Sequence, residues 1–282
     1  MAPAVRLHEA VALAGRFPLL AGASLEVSEG EVVHLRGPNG AGKTSLLKVL
    51  AGLLAVHSGE ATVLGRDLVA DRRWVRREVG MLGHQSFLYE ELTVEENLRF
   101  AVRAARSSEA AIHPALEQFG FGGRLASMPV GRCSAGQHRR ASLAVLVARG
   151  TRLWLLDEPH AGLDQQGRDL LDQLLAGSRA AGRTVIFTSH EHERAEAIAD
   201  RVIHLAGGRV VEPPEPSVQA PRQGATAPAS PTSPTSPAAP ARLSSPASPA
   251  SPGSPASPGS PASPASPAGR ATAVTEAPAH VA

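Results

Sequence analysis

Cysteine is all but missing from this chain of 282 residues: Cys133 stands alone, so no disulfide can form within it. Long apolar runs are missing as well. No stretch approaches the roughly 18 residues of a membrane-spanning helix, and the N-terminus lacks the charged, apolar and small-residue regions of a secretory signal. The expectation is a cytoplasmic protein that does not itself cross a membrane. An excess of one charge is also lacking, since 28 Lys and Arg against 26 Asp and Glu leave a net charge of +2. That balance makes no case for an anionic membrane surface, and no nucleic acid is expected as a partner. Aromatic residues are few, nine in all, and every one lies before residue 190.

Proline has the opposite distribution, with 18 of its 24 residues from Pro213 onward. Between Pro228 and Pro267 the chain repeats Ser-Pro-Ala, Thr-Ser-Pro and Ser-Pro-Gly units with a period near three. Such a segment cannot bury a core and favours fluctuating polyproline II, so residues 213–282 are expected to be a disordered or semi-stiff tail. Glycine does not recur at every third place, which excludes collagen. Residues 1–212 suit one α/β domain.

What is present is organised around Gly37-Pro38-Asn39-Gly40-Ala41-Gly42-Lys43-Thr44, which fits G-x-x-x-x-G-K-[ST]. A strand-like run over 31–36 precedes it, and the helix-prone segment Ser45–Leu50 follows. A nucleoside triphosphate concentrates negative charge in a small volume, and many short donors meet it better than one bulky side chain. The glycines let backbone N–H groups turn inward, and the following helix directs its positive end at the phosphates. Lys43 is placed to reach the β and γ phosphates, and the Thr44 hydroxyl to ligate Mg²⁺. The alternative reading, a plain Gly-rich turn, does not account for all eight positions and both flanks.

Along the chain, residues 5–27 alternate apolar and polar, predicting a small antiparallel sheet with turns at Gly15 and Gly22. A strand over 60–64 with an exit at Gly65-Arg66-Asp67, and another over 79–82, follow. Thr93-Val-Glu-Glu96 fits a capping box opening a helix to about Arg106. Residues 107–130 read as one more helix broken by Pro114 and by the glycines at 120, 122 and 123. A helix after Cys133-Ser134-Ala-Gly136-Gln137 ends near Gly150, and residues 152–156 read as a strand covered on both faces. An amphipathic helix over about 168–181, a buried strand over 184–188, a helix over 191–199 and a hairpin around Gly207-Gly208 complete the domain.

The strand at 152–156 runs into Asp157-Glu158-Pro159. Two adjacent carboxylates at the end of a buried strand are costly without a cation opposite. Beside a P-loop, Mg²⁺ is that cation: Asp157 is assigned to the metal and Glu158 to the attacking water. A solvated acidic pair before proline is the competing account. The strand at 184–188 leads to His190, which could donate to a γ-phosphate oxygen or could simply cap the next helix.

The order of these pieces is more specific than any one of them. P-loop, Ser134-Ala-Gly-Gln137 before a helix, apolar strand with Asp-Glu, Gly162-Leu-Asp164, then strand with terminal His resembles the ATP-binding cassette of ABC transporters over residues 5–211. The fold implied is a mixed sheet core with a small N-terminal antiparallel part and an inserted helical subdomain at about 83–140. The resemblance implies ATP and Mg²⁺ as ligands. It implies that Ser134, Gly136 and Gln137, together with Asp164, meet ATP held by a second cassette, most simply an identical copy. It also implies that Glu158 and His190 are catalytic, and that an integral membrane permease holds the cassette at the inner face of the cell membrane.

Three positions depart from the family pattern. Cys133 replaces the usual leucine. Aligned without gaps, His84 takes the place of the loop glutamine and Gln85 falls one later, so either could contact nucleotide or metal. Ala14 stands where an aromatic commonly stacks on adenine; Phe17 substitutes for it, or the base is held weakly. Within the family, Leu82-Gly-His-Gln85, Glu91-Leu-Thr93 and Ser134-Ala-Gly-Gln137 are most similar to the ATP-binding subunit of the haem exporter for cytochrome c maturation. Other readings are another small exporter, a non-transport cassette ATPase, or a module that binds nucleotide without hydrolysis. Non-transport cassettes commonly carry two cassettes or a long coiled-coil insertion, and this chain has neither.

Overall fold

A computed structural model describes residues 3–83 and 86–212 of the chain. His84, Gln85 and the proline-rich segment lie outside the described residues.

Strands β1 (Pro3–Ala14) and β2 (Phe17–Ser28) form a long antiparallel hairpin. Its alternation is the one read in the sequence, Val5 and Leu7 buried with Arg6 and His8 exposed. Gly15 makes the turn, but Gly22 does not. It sits inside β2 at φ 96°, beside a register shift opposite Ala10 and Val11, and so marks a bulge. β4 (Ser58–Val63) pairs with β1, and β5 (Arg66–Asp67) folds straight back on β4, giving the order β2-β1-β4-β5. The segment read as a strand exit is thus a short strand itself.

The second sheet is six-stranded and mixed. β3 (Val32–Arg36), β6 (Val79–Leu82), β7 (Leu153–Leu156), β8 (Thr184–Phe187), β9 (Arg201–Ala206) and β10 (Arg209–Val211) stand in the order β10-β9-β3-β8-β7-β6, all parallel except β10. Its alternate residues serve two cores. Leu153, Leu155, Val33 and Leu35 face the antiparallel sheet and helix α1 (Lys43–Leu50), where Leu46, Leu47 and Leu50 meet Val5 and Leu20. Trp154, Leu156, Val185 and Phe187 face the helices α5 (Ala135–Ala148), α6 (Gln165–Gly177) and α7 (His192–Ile198). The period of two explains the continuous apolar run: both faces of each strand are covered.

Between β6 and α5 the regular elements of the described residues are all helical. Thr93 caps α3 (Val94–Ala105) with the reciprocal box read in the sequence: Glu96 N–H donates to Thr93 Oγ1 at 3.2 Å and Thr93 N–H to Glu96 Oε2 at 2.8 Å. A 3-10 turn over Glu109–Ala111 leads into α4 (Ile112–Gln118). Pro114 does not break this helix. It is the third residue of α4, where its missing N–H would be unpaired in any case. α2 (Arg72–Glu78) has no counterpart in the sequence reading, because Val75 is its only buried residue and no apolar stripe marks it. It is docked instead by Arg76, whose Nε and Nη2 donate to the Gly52 carbonyl at 2.9 and 2.8 Å.

Candidate nucleotide site

Four parallel strands, β3, β8, β7 and β6, end at the same edge of the sheet, and their exits are the Gly37 loop, Thr188 to His190, Asp157-Glu158 and Gly83. A parallel sheet collects its ligand groups outside its carboxyl edge, and the sequence motifs follow that rule.

The loop is held from behind and open in front. A side chain on Gly37 would run into the Leu205 carbonyl, so only glycine fits there. Gly42, at φ 102°, is the N-cap of α1, and the first turn of that helix carries no acidic residue, which leaves its N–H groups and positive end free for an anion. Lys43 Nζ donates to the carbonyls of Gly37 and Pro38 at 2.7 and 3.1 Å, so the ammonium lies over the loop mouth. From the far side Gly208 N–H donates to the Ala41 carbonyl at 2.8 Å, and Ala21 N–H to the Gly208 carbonyl at 2.9 Å.

In front lies a cavity of about 530 Å³ lined by Asn39 to Ser45, Asp157, Glu158, His190, Pro18, Leu19 and the Gly207-Gly208 turn. Asp157 is 7% exposed and fully engaged: Thr44 Oγ1 donates to Oδ2 at 2.7 Å and Thr188 Oγ1 to Oδ1 at 2.8 Å. Thr188 also accepts from the Glu158 N–H at 2.9 Å. Glu158 itself has φ 49°, a left-handed conformation unusual for a side-chain-bearing residue and a frequent mark of a functional position. Its carboxylate accepts from the His190 N–H at 3.1 Å and lies 3.4 Å from His190 Nε2.

This donor set suits a magnesium triphosphate. Thr44 and Asp157 bring two oxygen ligands together, and among the described residues no group of three or more His, Cys, Asp or Glu side chains is arranged to hold a metal ion by itself. An ion here would draw its other ligands from phosphate and water, which is how Mg²⁺ is usually bound. Among the described residues no Phe, Tyr or Trp lines the cavity. Phe17, considered for the base platform, is 78% exposed at the hairpin tip, and Pro18 and Leu19 line the wall in its place.

The other sequence-selected residues among those described are elsewhere. Ser134 and Gln137 form a capping box at the start of α5, with Gln137 N–H donating to Ser134 Oγ at 3.2 Å and Ser134 N–H to Gln137 Oε1 at 2.8 Å. Ser134 is exposed, Gly136 lies against the Gly162 carbonyl, and Asp164 caps α6 through the Gly167 N–H at 3.0 Å. None of these lines the cavity of its own chain.

Two residues escaped the sequence reading. Thr188, which orients both carboxylate positions, reads as an ordinary strand residue; only its place beside His190 could have marked it. Arg139 lies inside α5, and its guanidinium donates to four carbonyls, those of Gly83, Asp157, Glu158 and Pro159. Burial pulls it below the ordinary arginine range, while Asp157 and Glu158 act in the opposite sense.

Known proteins share this arrangement. The profile of the ABC transporter family matches residues 20–161. The cytochrome c biogenesis ATP-binding export protein CcmA of Vibrio cholerae is 39% identical over 184 residues, covering 64% of this chain and 88% of that protein. Its counterpart in Paramagnetospirillum magneticum is 42% identical over 180 residues, covering 61% and 81%. Among solved structures, an ATP-binding subunit of an ABC transporter is 28% identical with a TM-score of 0.69, covering 73% of this chain and 87% of that one. A dimeric cassette bound to ADP and Pi shares the fold at 24% identity and a TM-score of 0.68. The phosphate cradle, the paired carboxylates beside it and these likenesses agree: the chain belongs to the ABC transporter family, as an ATP-hydrolysing cassette subunit most similar to the cytochrome c biogenesis export proteins.

Proposed function

We propose that two copies of this chain clasp two molecules of ATP between them and drive a membrane-spanning partner that exports haem for cytochrome c biogenesis. The observation that carries the reading is a division of labour. The cradle, Asp157, Glu158 and His190 line one open cavity, while Ser134 and Gly136 are presented at a separate place on the same chain. A second copy related by a two-fold axis would set each exposed serine against the other's phosphates. The names of the similar proteins, which are export proteins of cytochrome c biogenesis, support the cargo.

In this scheme Gly37 to Ser45 bind the phosphates, and Thr44 and Asp157 hold Mg²⁺, with Gln85 as a further candidate ligand. When bound, Mg²⁺ neutralises charge building on the phosphates. Glu158 orients and deprotonates the attacking water, and His190 steadies Glu158 and the terminal phosphate. Asp164 and Gln137 act at the seam between copies, and His84 or Gln85 reports the site's state towards the membrane partner. Closure on ATP and opening after hydrolysis is a population shift set by differential affinity. Residues 83–131, between the two nucleotide-touching motifs, are the contact for the partner's cytoplasmic helices. The cassette is thereby held at the inner face of the membrane; among the described residues no helix is long and apolar enough to cross one.

Glu158→Gln tests the reading. Turnover falls about a hundredfold or more, equivalent to roughly 3 kcal/mol of barrier, while ATP binding persists. With Mg²⁺ and saturating ATP, light scattering shows the variant as a dimer. A variant that stays monomeric, even beside its membrane partner, sinks the proposal.

A further inference from the structure

We infer that Arg139 is the positioning residue that fixes the backbone of Glu158 and couples it to the helix opened by Ser134; the inference rests on the reading of Glu158 as the residue that orients water. The side chain leaves α5 five residues after Ser134, about 7.5 Å along the helix axis. None of its hydrogen bonds goes to a carboxylate. Nη2 donates to the Glu158 carbonyl at 2.6 Å and to that of Asp157 at 3.2 Å, Nε to that of Pro159 at 3.3 Å, and Nη1 to that of Gly83 at 2.7 Å. Three consecutive carbonyls at the β7 exit therefore converge on one planar fork, and a fourth at the β6 exit shares it.

That convergence answers a need of the chain. Glu158 keeps its left-handed φ of 49° only if its surroundings hold it there. Its N–H is held by Thr188 and its C=O by Arg139, so the residue is gripped at both ends and its carboxylate stays aimed at the cavity. The two grips come from different elements. Thr188 follows β8 in the rigid sheet, whereas Arg139 belongs to α5, whose first turn presents Ser134. A shift of α5 when Ser134 engages phosphate is thus felt at the Glu158 peptide and at Gly83, the residue before His84. A lysine cannot reproduce this, because a single ammonium has three donors on one atom and no fork to span the two strand exits.

The test is steady-state hydrolysis of Mg-ATP by the full-length chain and by Arg139→Lys, Arg139→Ala and Glu158→Gln. For Arg139→Lys, kcat falls about 30-fold or more while KM stays within about threefold, the split of an interaction that matters in the transition state. Methylguanidinium added to Arg139→Ala raises kcat about fivefold or more, does not do so for Arg139→Lys, and leaves the melting temperature unchanged. A residue that merely filled space would show a melting shift without that recovery. Arg139→Lys decides the matter if Arg139→Ala does not fold. A kcat for Arg139→Lys within about threefold of the parent, a loss confined to KM, or a folded Arg139→Ala that methylguanidinium does not rescue overturns the inference. Should those results occur while Glu158→Gln is inactive, the inference alone fails; should Glu158→Gln turn over normally, the reading beneath it fails and takes the inference with it.

Discussion

Replacing Thr188 with valine removes one oxygen and keeps the shape of the side chain. The site is fully buried, so water cannot substitute for the hydroxyl. Two bonds disappear together: the donation to Asp157 Oδ1 at 2.8 Å and the acceptance from the Glu158 N–H at 2.9 Å. The first is charge-assisted and stabilises by about 1.5–3 kcal/mol; the second leaves a buried N–H unpaired, at a cost of about 1–3 kcal/mol. The gain from burying a methyl in place of a hydroxyl offsets part of this, so a net loss of about 2–4 kcal/mol follows. For a domain of this size each kcal/mol moves the melting temperature by about 2–4 °C, giving a drop of about 5–15 °C. Thr188→Ser keeps the oxygen and should lose under about 1.5 kcal/mol. Calorimetry reads the stability and a phosphate-release assay reads turnover, which falls in the valine variant because Glu158 loses one of its backbone anchors. Valine and serine variants with equal melting temperatures and equal turnover would refute the assignment of Thr188.

Lys43→Ala should weaken ATP binding itself, raising the dissociation constant about tenfold or more in titration calorimetry, equivalent to about 1.4 kcal/mol. Asn97 is buried and ties the start of α3 to the loop before it, accepting from the Tyr89 N–H at 2.8 Å and donating to the carbonyls of Tyr89 and Thr93 at 3.0 Å. Asn97→Ala should destabilise by about 2–4 kcal/mol in urea titration, with ATP affinity unchanged. Burial lowers the pKa of His34, which stacks on Phe187, and an approach to the Ser189 main chain only partly opposes it. The folded state therefore binds less proton than the unfolded chain below about pH 6.5, and stability falls as the pH drops from 7 towards 5, by at most about 1.4 kcal/mol per unit from this group. Melting curves of His34→Phe should show a shallower slope over that window; an unchanged slope removes His34 as its source.

How much of this was legible in the sequence depends on what kind of signal each element leaves. β7 and β8 are continuous apolar runs because both faces are buried, and a run of that kind is hard to miss. The Gly37 to Thr44 loop is legible because close backbone approach permits only certain residues. α2 left no periodicity, since its docking is done by arginines reaching a carbonyl rather than by an apolar face. In the sequence Gly22 reads as a turn because a glycine in an alternating stretch suits a turn and a bulge equally; only the pairing with β1 distinguishes them. Thr188 and Arg139 are invisible for a related reason: they act on main-chain groups, and a carbonyl or N–H supplied by a distant strand has no letter in the sequence.

The Gly207-Gly208 hairpin has a consequence for how this protein can be cut. The phosphate loop is pinned by the final hairpin, and that hairpin is pinned in turn by the first one through Ala21. Segments about 190 positions apart thus brace the same few atoms. A fragment that drops the first hairpin and the last, however neatly its boundaries are chosen, would lose the cradle's scaffolding from both directions at once.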